Sequence, residues 1–196
     1  MNYGQEKTIS SNLEAPDSGE YVATGSSIVL RRKRLADAWD DYAWETDPEL
    51  AYLDAAPVLT TAFSRYLADY DWELRNPRTS SRQLAVDTLD GRHMGNCSYY
   101  NISKFTSETE LGIMIGDRNY WNKGCGTDIV TTLIRHIFNQ TELKRIHLKT
   151  LESNIRAQKC FQKSGFKQYK LSIRSKFNFV LMEIHRSQWQ EQQPGS

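Results

Sequence analysis

The sequence predicts an α/β (α+β) domain, and three observations carry that reading. Short apolar runs with twofold alternation are interleaved with stretches of helical spacing rather than segregated from them. Asp90-Gly91 separates two strand-like segments, a strong signal for a tight antiparallel hairpin. Midway along, a glycine loop joins an apolar strand to an amphipathic helix. With 196 residues, one domain is the default and a sizeable core can be buried.

Composition removes several function classes. A formal charge of +1 lacks the basic excess of an electrostatic nucleic-acid binder. No apolar run reaches the roughly 20 residues of a membrane span, and Met1-Asn2-Tyr3-Gly4-Gln5-Glu6-Lys7 has no apolar secretory segment. Cys97, Cys125 and Cys160 are odd in number and widely spaced, which suits free thiols in a reducing cytoplasm. His93, His136, His147 and His185 are scattered, so no metal site is expected.

Taken in order, residues 1–20 are polar and rich in Ser, Pro and Gly, and read as a flexible leader. Ser27-Ile28-Val29-Leu30-Arg31 is a first strand, followed by a helix over 35–44 that continues irregularly past Pro48. A second helix over 60–72 carries Phe63, Tyr66, Leu67 and Tyr70 at helical spacing. The hairpin pairs 82–89 with 93–102. Further on, 145–150 alternates as a strand, Asn154 can cap a helix, and Gly165 can end it in the left-handed conformation. Tyr169, Leu171 and Ile173 alternate in a penultimate strand and 177–184 forms the last. Residues 188–196 read as a loose tail, leaving a single domain over 21–187.

The chain is organised around residues 110–138. Leu111, Ile113 and Ile115 fall on one face of a buried strand, and a turn follows at Gly116-Asp117. After Tyr120-Trp121-Asn122-Lys123 comes Gly124-Cys125-Gly126, then a helix whose Ile129, Val130, Leu133, Ile134, Ile137 and Phe138 make one apolar stripe. The first N–H groups of a helix have no partner inside it, and the helix dipole adds partial positive charge there. Side-chain-free glycines would let a diphosphate approach. Two readings stand at this loop: an anion site, or a turn that needs glycine only for its conformation. No Gly-x4-Gly-Lys-Ser/Thr string exists, and Ile129 stands where a dinucleotide fingerprint needs its third glycine, though Glu152 lies near where a ribose-binding acid would sit.

Here the chain resembles a family. Trp121-Asn122-Lys123-Gly124-Cys125-Gly126-Thr127 is similar to the acetyl-CoA loop of the GNAT superfamily of N-acetyltransferases, Arg/Gln-x-x-Gly-x-Gly/Ala. Trp121 replaces the Arg/Gln, a departure familiar in the branch that acetylates ribosomal-protein N-termini. Asn154-Ile155-Arg156-Ala157-Gln158-Lys159-Cys160-Phe161-Gln162-Lys163-Ser164-Gly165-Phe166 resembles the family's Asn-x-x-Ala-x-x-x-Tyr-x-Lys-x-Gly-Phe. The segments Leu30-Arg31-Arg32-Lys33-Arg34-Leu35-Ala36-Asp37-Ala38 and Thr46-Asp47-Pro48-Glu49 resemble that branch's N-terminal pattern. The resemblance implies a mixed, mostly antiparallel, twisted sheet of about six to seven strands with helices on both faces.

It also implies site residues. The acyl-donor strand would splay from its neighbour, so that the pantetheine arm pairs with the main chain of Ile113, Met114 and Ile115 like an added strand. The diphosphate would lie on the amides from Asn122 through Lys123, Gly124, Cys125 and Gly126 to Thr127, with Trp121 alongside. Asn154 would reach the donor arm as well as cap its helix, or act as a cap alone. Glu110 matches an acidic position that serves as base in several relatives, with Glu108 the fallback; the other reading of Glu110 is an exposed carboxylate at a strand end. Phe161 stands at the donor-side position where the family's tyrosine protonates the departing thiolate, and it cannot donate a proton. Tyr120 and Tyr169 are the substitutes on offer.

The expected reaction is transfer of an acetyl group from acetyl-CoA to a primary amine by direct attack. The amine must lose a proton and the carbonyl oxygen needs a donor, for which a strand amide around Met114 or Ile115 is expected. Asp37, Trp39, Asp40, Asp41, Tyr42, Trp44, Glu45, Asp47, Glu49, Tyr52 and Asp54 form an acidic, aromatic region. It suits a cationic acceptor such as a polyamine, an aminosugar or a protein N-terminus, or else is a solvated helix face with ordinary packing. No metal, nucleic acid or membrane enters the expectation, and a homodimer is compatible with it. The competing class is a non-catalytic acyl-CoA-binding or sensing module, which Phe161 favours and Glu110 with the intact loop disfavours.

Overall fold

Eight strands form one sheet in the computed structural model, which describes residues 20–174 and 177–192. They are β1 (Tyr21–Thr24), β2 (Ile28–Arg32), β3 (Ser81–Thr88), β4 (His93–Ser103), β5 (Glu108–Ile115), β6 (Arg145–Leu151), β7 (Lys167–Arg174) and β8 (Phe177–His185). The spatial order is β1-β2-β3-β4-β5-β6-β8-β7, and every neighbouring pair is antiparallel except β5 with β6. The count exceeds the expected six to seven because β1 is a strand. Its four residues are at most half-buried and carry no alternation for a sequence reading to detect. Residues 1–19 of the expected leader, 193–196 of the expected tail and the β7–β8 connection at 175–176 lie outside the described residues.

The helices are α1 (Ala38–Glu45), α2 (Pro48–Leu53), α3 (Phe63–Arg75), α4 (Cys125–Gln140), α5 (Ile155–Lys163) and α6 (Arg186–Glu191). The single helix expected from residue 35 is three pieces: a 3₁₀ turn Leu35–Asp37, then α1, then α2. Pro48 dictates the break, since it lacks the N–H a helix interior needs but suits a first turn. The Asp47 carboxylate caps α2, accepting from Glu49 N at 2.9 Å and Leu50 N at 3.0 Å. Helix α3 begins at Phe63, three residues later than expected.

Helix α4 lies on one face of the sheet. Ile129, Val130, Leu133 and Ile137 are wholly buried against Ile28, Leu30, Val86, Met94 and Leu111. Burying each such side chain contributes about 1.5–3 kcal/mol, so this stripe anchors the fold. The Asp128 carboxylate ties its first turn to the β1–β2 turn, accepting from Ser26 N at 3.0 Å and Ser27 N at 2.6 Å. The tail expected from Gln188 begins instead as α6. There Arg186 donates to the carbonyls of Phe138, Thr141 and Leu143 at the end of α4, and Trp189 packs on Phe138 with ring centroids 5.3 Å apart. These contacts supply partners for carbonyls that a helix end leaves free.

The opposite face, under α1 and α3, is a buried polar layer. Arg31, 2% exposed, bridges Asp37 (2.7 and 2.8 Å) and Asp87 (2.6 and 2.9 Å). Asp41, equally buried, accepts from Lys33, from Tyr70 Oη at 2.7 Å and from Asn96 Nδ2 at 2.6 Å. Charges removed from water in this way need nearly every partner satisfied.

Candidate active site

The sheet forks at its centre. Strand β5 pairs with β6 only at Glu108–Arg145, Thr109–Ile146 and Glu110–His147. Beyond that, β5 stays with β4 as far as Ile115, and β6 stays with β8 as far as Leu151. Arg145 clamps the closed end between Glu108 Oε2 (2.5 Å) and Glu183 Oε2 (2.7 Å). In the antiparallel alternation, Met114 lies opposite Asn96 and Gly116 N donates to Met94 O at 3.1 Å. The main-chain groups of Ile113 and Ile115 therefore turn away from β4 into the gap. Trp121 reaches one of them, its Nε1–H donating to Ile115 O at 2.7 Å. Met114, expected to act through its main chain too, gives the gap its side chain instead.

A cavity of about 490 Å³ opens through this fork. Every residue of the expected donor set lines it except Lys123 and Cys125; the Cys125 side chain is buried, 8% exposed, as the first residue of α4. Gly124 precedes that helix at φ +86°, with open space where a side chain would begin, and Asn122 is also left-handed at φ +59°. No side chain caps α4, and the one acid in its first turn, Asp128, is bound to the β1–β2 turn. The first amides of α4 thus stay open beside a cavity whose wall includes Gly124, Gly126 and Thr127. Gly126 packs tightly, since a methyl there would sit 3.1 Å from Cys160 Sγ.

Helix α5 forms the facing wall. Its cap is formed, Asn154 Oδ1 accepting from Ala157 N at 3.1 Å, and Asn154 also faces the cavity. Arg156, Lys159 and Lys163 line the same wall at helical spacing. Arg156 lies over the Trp121 indole, 3.5 Å from its centroid, and among the described residues no carboxylate comes within ion-pair distance of these three cations. The second motif held this signal: its fixed Lys163 and its variable positions 156 and 159 place the charges. Phe161 is 6% exposed and packs edge-on against Phe166, with centroids 5.9 Å apart. Of the two tyrosines offered as substitutes, Tyr120 lines the cavity, whereas Tyr169 lies under Arg145, 5.2 Å from ring centroid to guanidinium carbon.

Glu110 sits at the fork, 8% exposed and outside the cavity lining. Its Oε1 accepts from Lys149 Nζ at 2.8 Å and its Oε2 from Asn101 Nδ2 at 3.2 Å. Burial pushes this carboxyl up, but the Lys149 ammonium and the Tyr100 hydroxyl outweigh it and leave Glu110 below the usual range. The Arg145 guanidinium beside Glu108 depresses that carboxyl as well. Within the acidic, aromatic region most groups serve the fold: Asp37 and Asp41 in the polar layer, Asp47 on α2 and on Arg118 at 2.9 Å, Glu45 accepting from Tyr66 Oη at 2.9 Å, and Trp39 stacked on Phe63. Asp54 is different. It follows α2 and lines the cavity together with Leu50, Leu53 and Met114.

Among the described residues there is no group of His, Cys, Asp and Glu that could hold a metal ion, and no helix is long and apolar enough to cross a membrane.

Comparisons with known proteins agree with this geometry. A family model described as an acetyltransferase (GNAT) domain matches residues 27–167. An uncharacterized protein of Methanocaldococcus jannaschii is 26% identical over 157 residues, covering 76% of this chain and 30% of that protein. An aminoglycoside N(6')-acetyltransferase type 1 of Klebsiella pneumoniae is 32% identical over 66 residues, covering 31% of this chain and 33% of its own length. The chain thus spans about a third of the length of these curated relatives. The fold superposes on a spermidine N-acetyltransferase from Vibrio cholerae, solved in complex with CoA and spermine. That match has a TM-score of 0.76 at 15% identity, over 84% of this chain and 99% of the other.

Proposed function

This chain belongs to the GNAT acetyltransferase domain family, and from that premise we propose that it transfers an acetyl group from acetyl-CoA to a primary amine. The observation that carries the reading is the fork: main-chain groups of Ile113 and Ile115 face a gap that ends at the uncapped N-terminus of α4. An extended pantetheine arm fits such a gap as an added strand, and a diphosphate fits the open amides of residues 125–127. Asn122, Gly124 and Thr127 shape that end, and Trp121 closes it by taking the last free carbonyl of β5. Arg156, Lys159 and Lys163 face the donor's phosphates with uncommitted positive charge. The sulfur end then lies toward Met114, Phe161 and the fork.

Acetyl-CoA supplies an activated thioester; the protein supplies position, charge and a proton path. The amides of Ile113 and Ile115, turned into the gap, are the donors available to the oxygen that gains charge during attack. Phe161 gives the thiolate no phenol at the family's tyrosine position, and the new amide nitrogen must shed a proton that the thiolate can take, with the Tyr120 phenol also in the cavity wall. The acceptor is a small amine or a protein N-terminus, entering from the α2 side where Asp54 supplies negative charge. The same fold could hold acetyl-CoA without turning it over, and Phe161 is the observation that favours that second reading.

Thermal melting with acetyl-CoA, CoA, NAD and ATP separates these ideas, because a ligand that binds only the folded state raises the Tm by mass action. We expect shifts with acetyl-CoA and CoA alone, then thiol release with at least one of spermidine, kanamycin and a peptide with a free N-terminus. Absence of any shift with acetyl-CoA would refute the reading. A shift without thiol release for any amine would favour the binding module.

A further inference from the structure

The proton that the attacking amine must lose needs an acceptor, and two carboxylates flank Lys149 at the acceptor end of the fork. Glu110 has both oxygens committed, to Lys149 and Asn101, and lies outside the cavity. Asp54 lines the same cavity as Met114, and among the described residues its carboxylate makes no hydrogen bond or ion pair. We infer that Asp54, and not Glu110, is the catalytic base, and that Glu110 is a positioning residue that holds Lys149. This inference rests on the acetyltransferase reading above.

The electrostatics support the geometry. Asp54 is open to solvent at the cavity rim, yet the protein packed around its carboxyl raises it above the ordinary aspartate value, against the pull of Lys149. The charged and titratable groups that act on it are Lys149 on β6, Tyr100 on β4 and Glu45 on α1, and Glu110 on β5 holds the lysine. Glu110 neutralises much of the lysine's charge at 2.8 Å. Two neighbouring carboxyls driven in opposite directions mark a division of labour: the depressed one stays ionised and structural, and the raised one can exchange protons.

The step balances as follows. Asp54 carboxylate takes one proton from the bound ammonium, leaving a neutral amine and a neutral Asp54. The amine nitrogen forms a bond to the thioester carbon, and the carbon–sulfur bond breaks with its electron pair on sulfur. The second nitrogen proton passes to that thiolate, giving the amide and the free thiol of CoA. Asp54 then returns its proton to solvent at the open rim. No oxidant, reductant or further reactant is consumed.

The test is the pH dependence of kcat at saturating acetyl-CoA, using spermidine, kanamycin or the peptide, whichever supports the fastest thiol release. Asp54→Asn should lower kcat at neutral pH by about 100-fold or more and abolish the acid limb. Acetyl-CoA affinity and Tm should stay at wild-type values, and Asp54→Glu should recover part of the rate. Glu110→Gln should keep the limb but move it to lower pH, because Lys149 is then free to stabilise ionised Asp54. The inference is overturned if Asp54→Asn turns over within about threefold of wild type with the same profile, or if Glu110→Gln alone removes the limb. A wild-type protein that binds no acetyl-CoA would instead overturn the acetyltransferase reading itself.

Discussion

Trp121 stands where a glutamine or arginine would be expected, and its two contacts allow the cost of removing it to be worked out. Its indole N–H donates to Ile115 O at 2.7 Å, and its face carries the Arg156 guanidinium 3.5 Å from the centroid. A net hydrogen bond contributes about 1 kcal/mol, and a cation over an exposed aromatic face about 0.5–1 kcal/mol. Trp121→Ala loses both, about 1.5–2 kcal/mol in total, which bounds the loss of CoA affinity at roughly 10- to 30-fold in Kd if all of that order is needed to hold the donor. Trp121→Phe keeps a ring beneath Arg156 and loses only the hydrogen bond, about fivefold. Calorimetric titration of CoA into the two variants at one fixed salt concentration measures both, with Tm recorded alongside. An Ala variant that binds CoA as tightly as wild type refutes the assignment of this end of the cavity to the donor. An effect confined to Tm would make Trp121 a residue of the fold alone.

Other consequences are open to measurement. Gly124→Ala meets no steric obstacle, but φ +86° is unfavourable for any side chain; denaturant titration should show a loss of about 1–2 kcal/mol. Asp37→Ala leaves Arg31 buried with half its partners, and urea unfolding should register about 3–5 kcal/mol. Burial raises the Asp37 carboxyl, but the Arg31 guanidinium more than offsets this and holds it below the ordinary aspartate value. Its stabilisation is therefore complete above about pH 4 and is lost as the pH falls through the lower, folded-state value. Asp37→Asn should flatten that part of the stability–pH curve. Arg186→Ala removes three bonds to carbonyls at the end of α4, and amide exchange should speed up over residues 137–141.

Much of this architecture could be read from the chain because its signals are local. The stripe from Ile129 to Phe138 defined α4, Asp90-Gly91 placed the β3–β4 hairpin, and the two glycine motifs located both walls of the cavity. What escaped depends on contacts remote in sequence. Nothing within Glu108-Thr109-Glu110 says that pairing with β6 stops after three residues. Nothing in Asp37 or Asp41 marks them as buried partners of Arg31 and Lys33 rather than a surface for amines. Asp54 resembled its acidic neighbours until the fold set it on the cavity wall. The apolar alternation of Tyr169, Leu171 and Ile173 in β7 points to solvent, where the same pattern elsewhere marks core.

Three residue pairs of main-chain ladder join one leaf of the sheet, β1 to β5, to the other, β6 to β8, and beyond them side chains and the core under α4 hold the leaves together. The donor proposed to lie along Ile113 and Ile115 would bond to one leaf while packing on α5 beside the other, a splint as well as a reactant. Slower amide exchange along β8, which pairs with β6 and does not border the gap, would be the mechanical signature of that splint upon ligand addition.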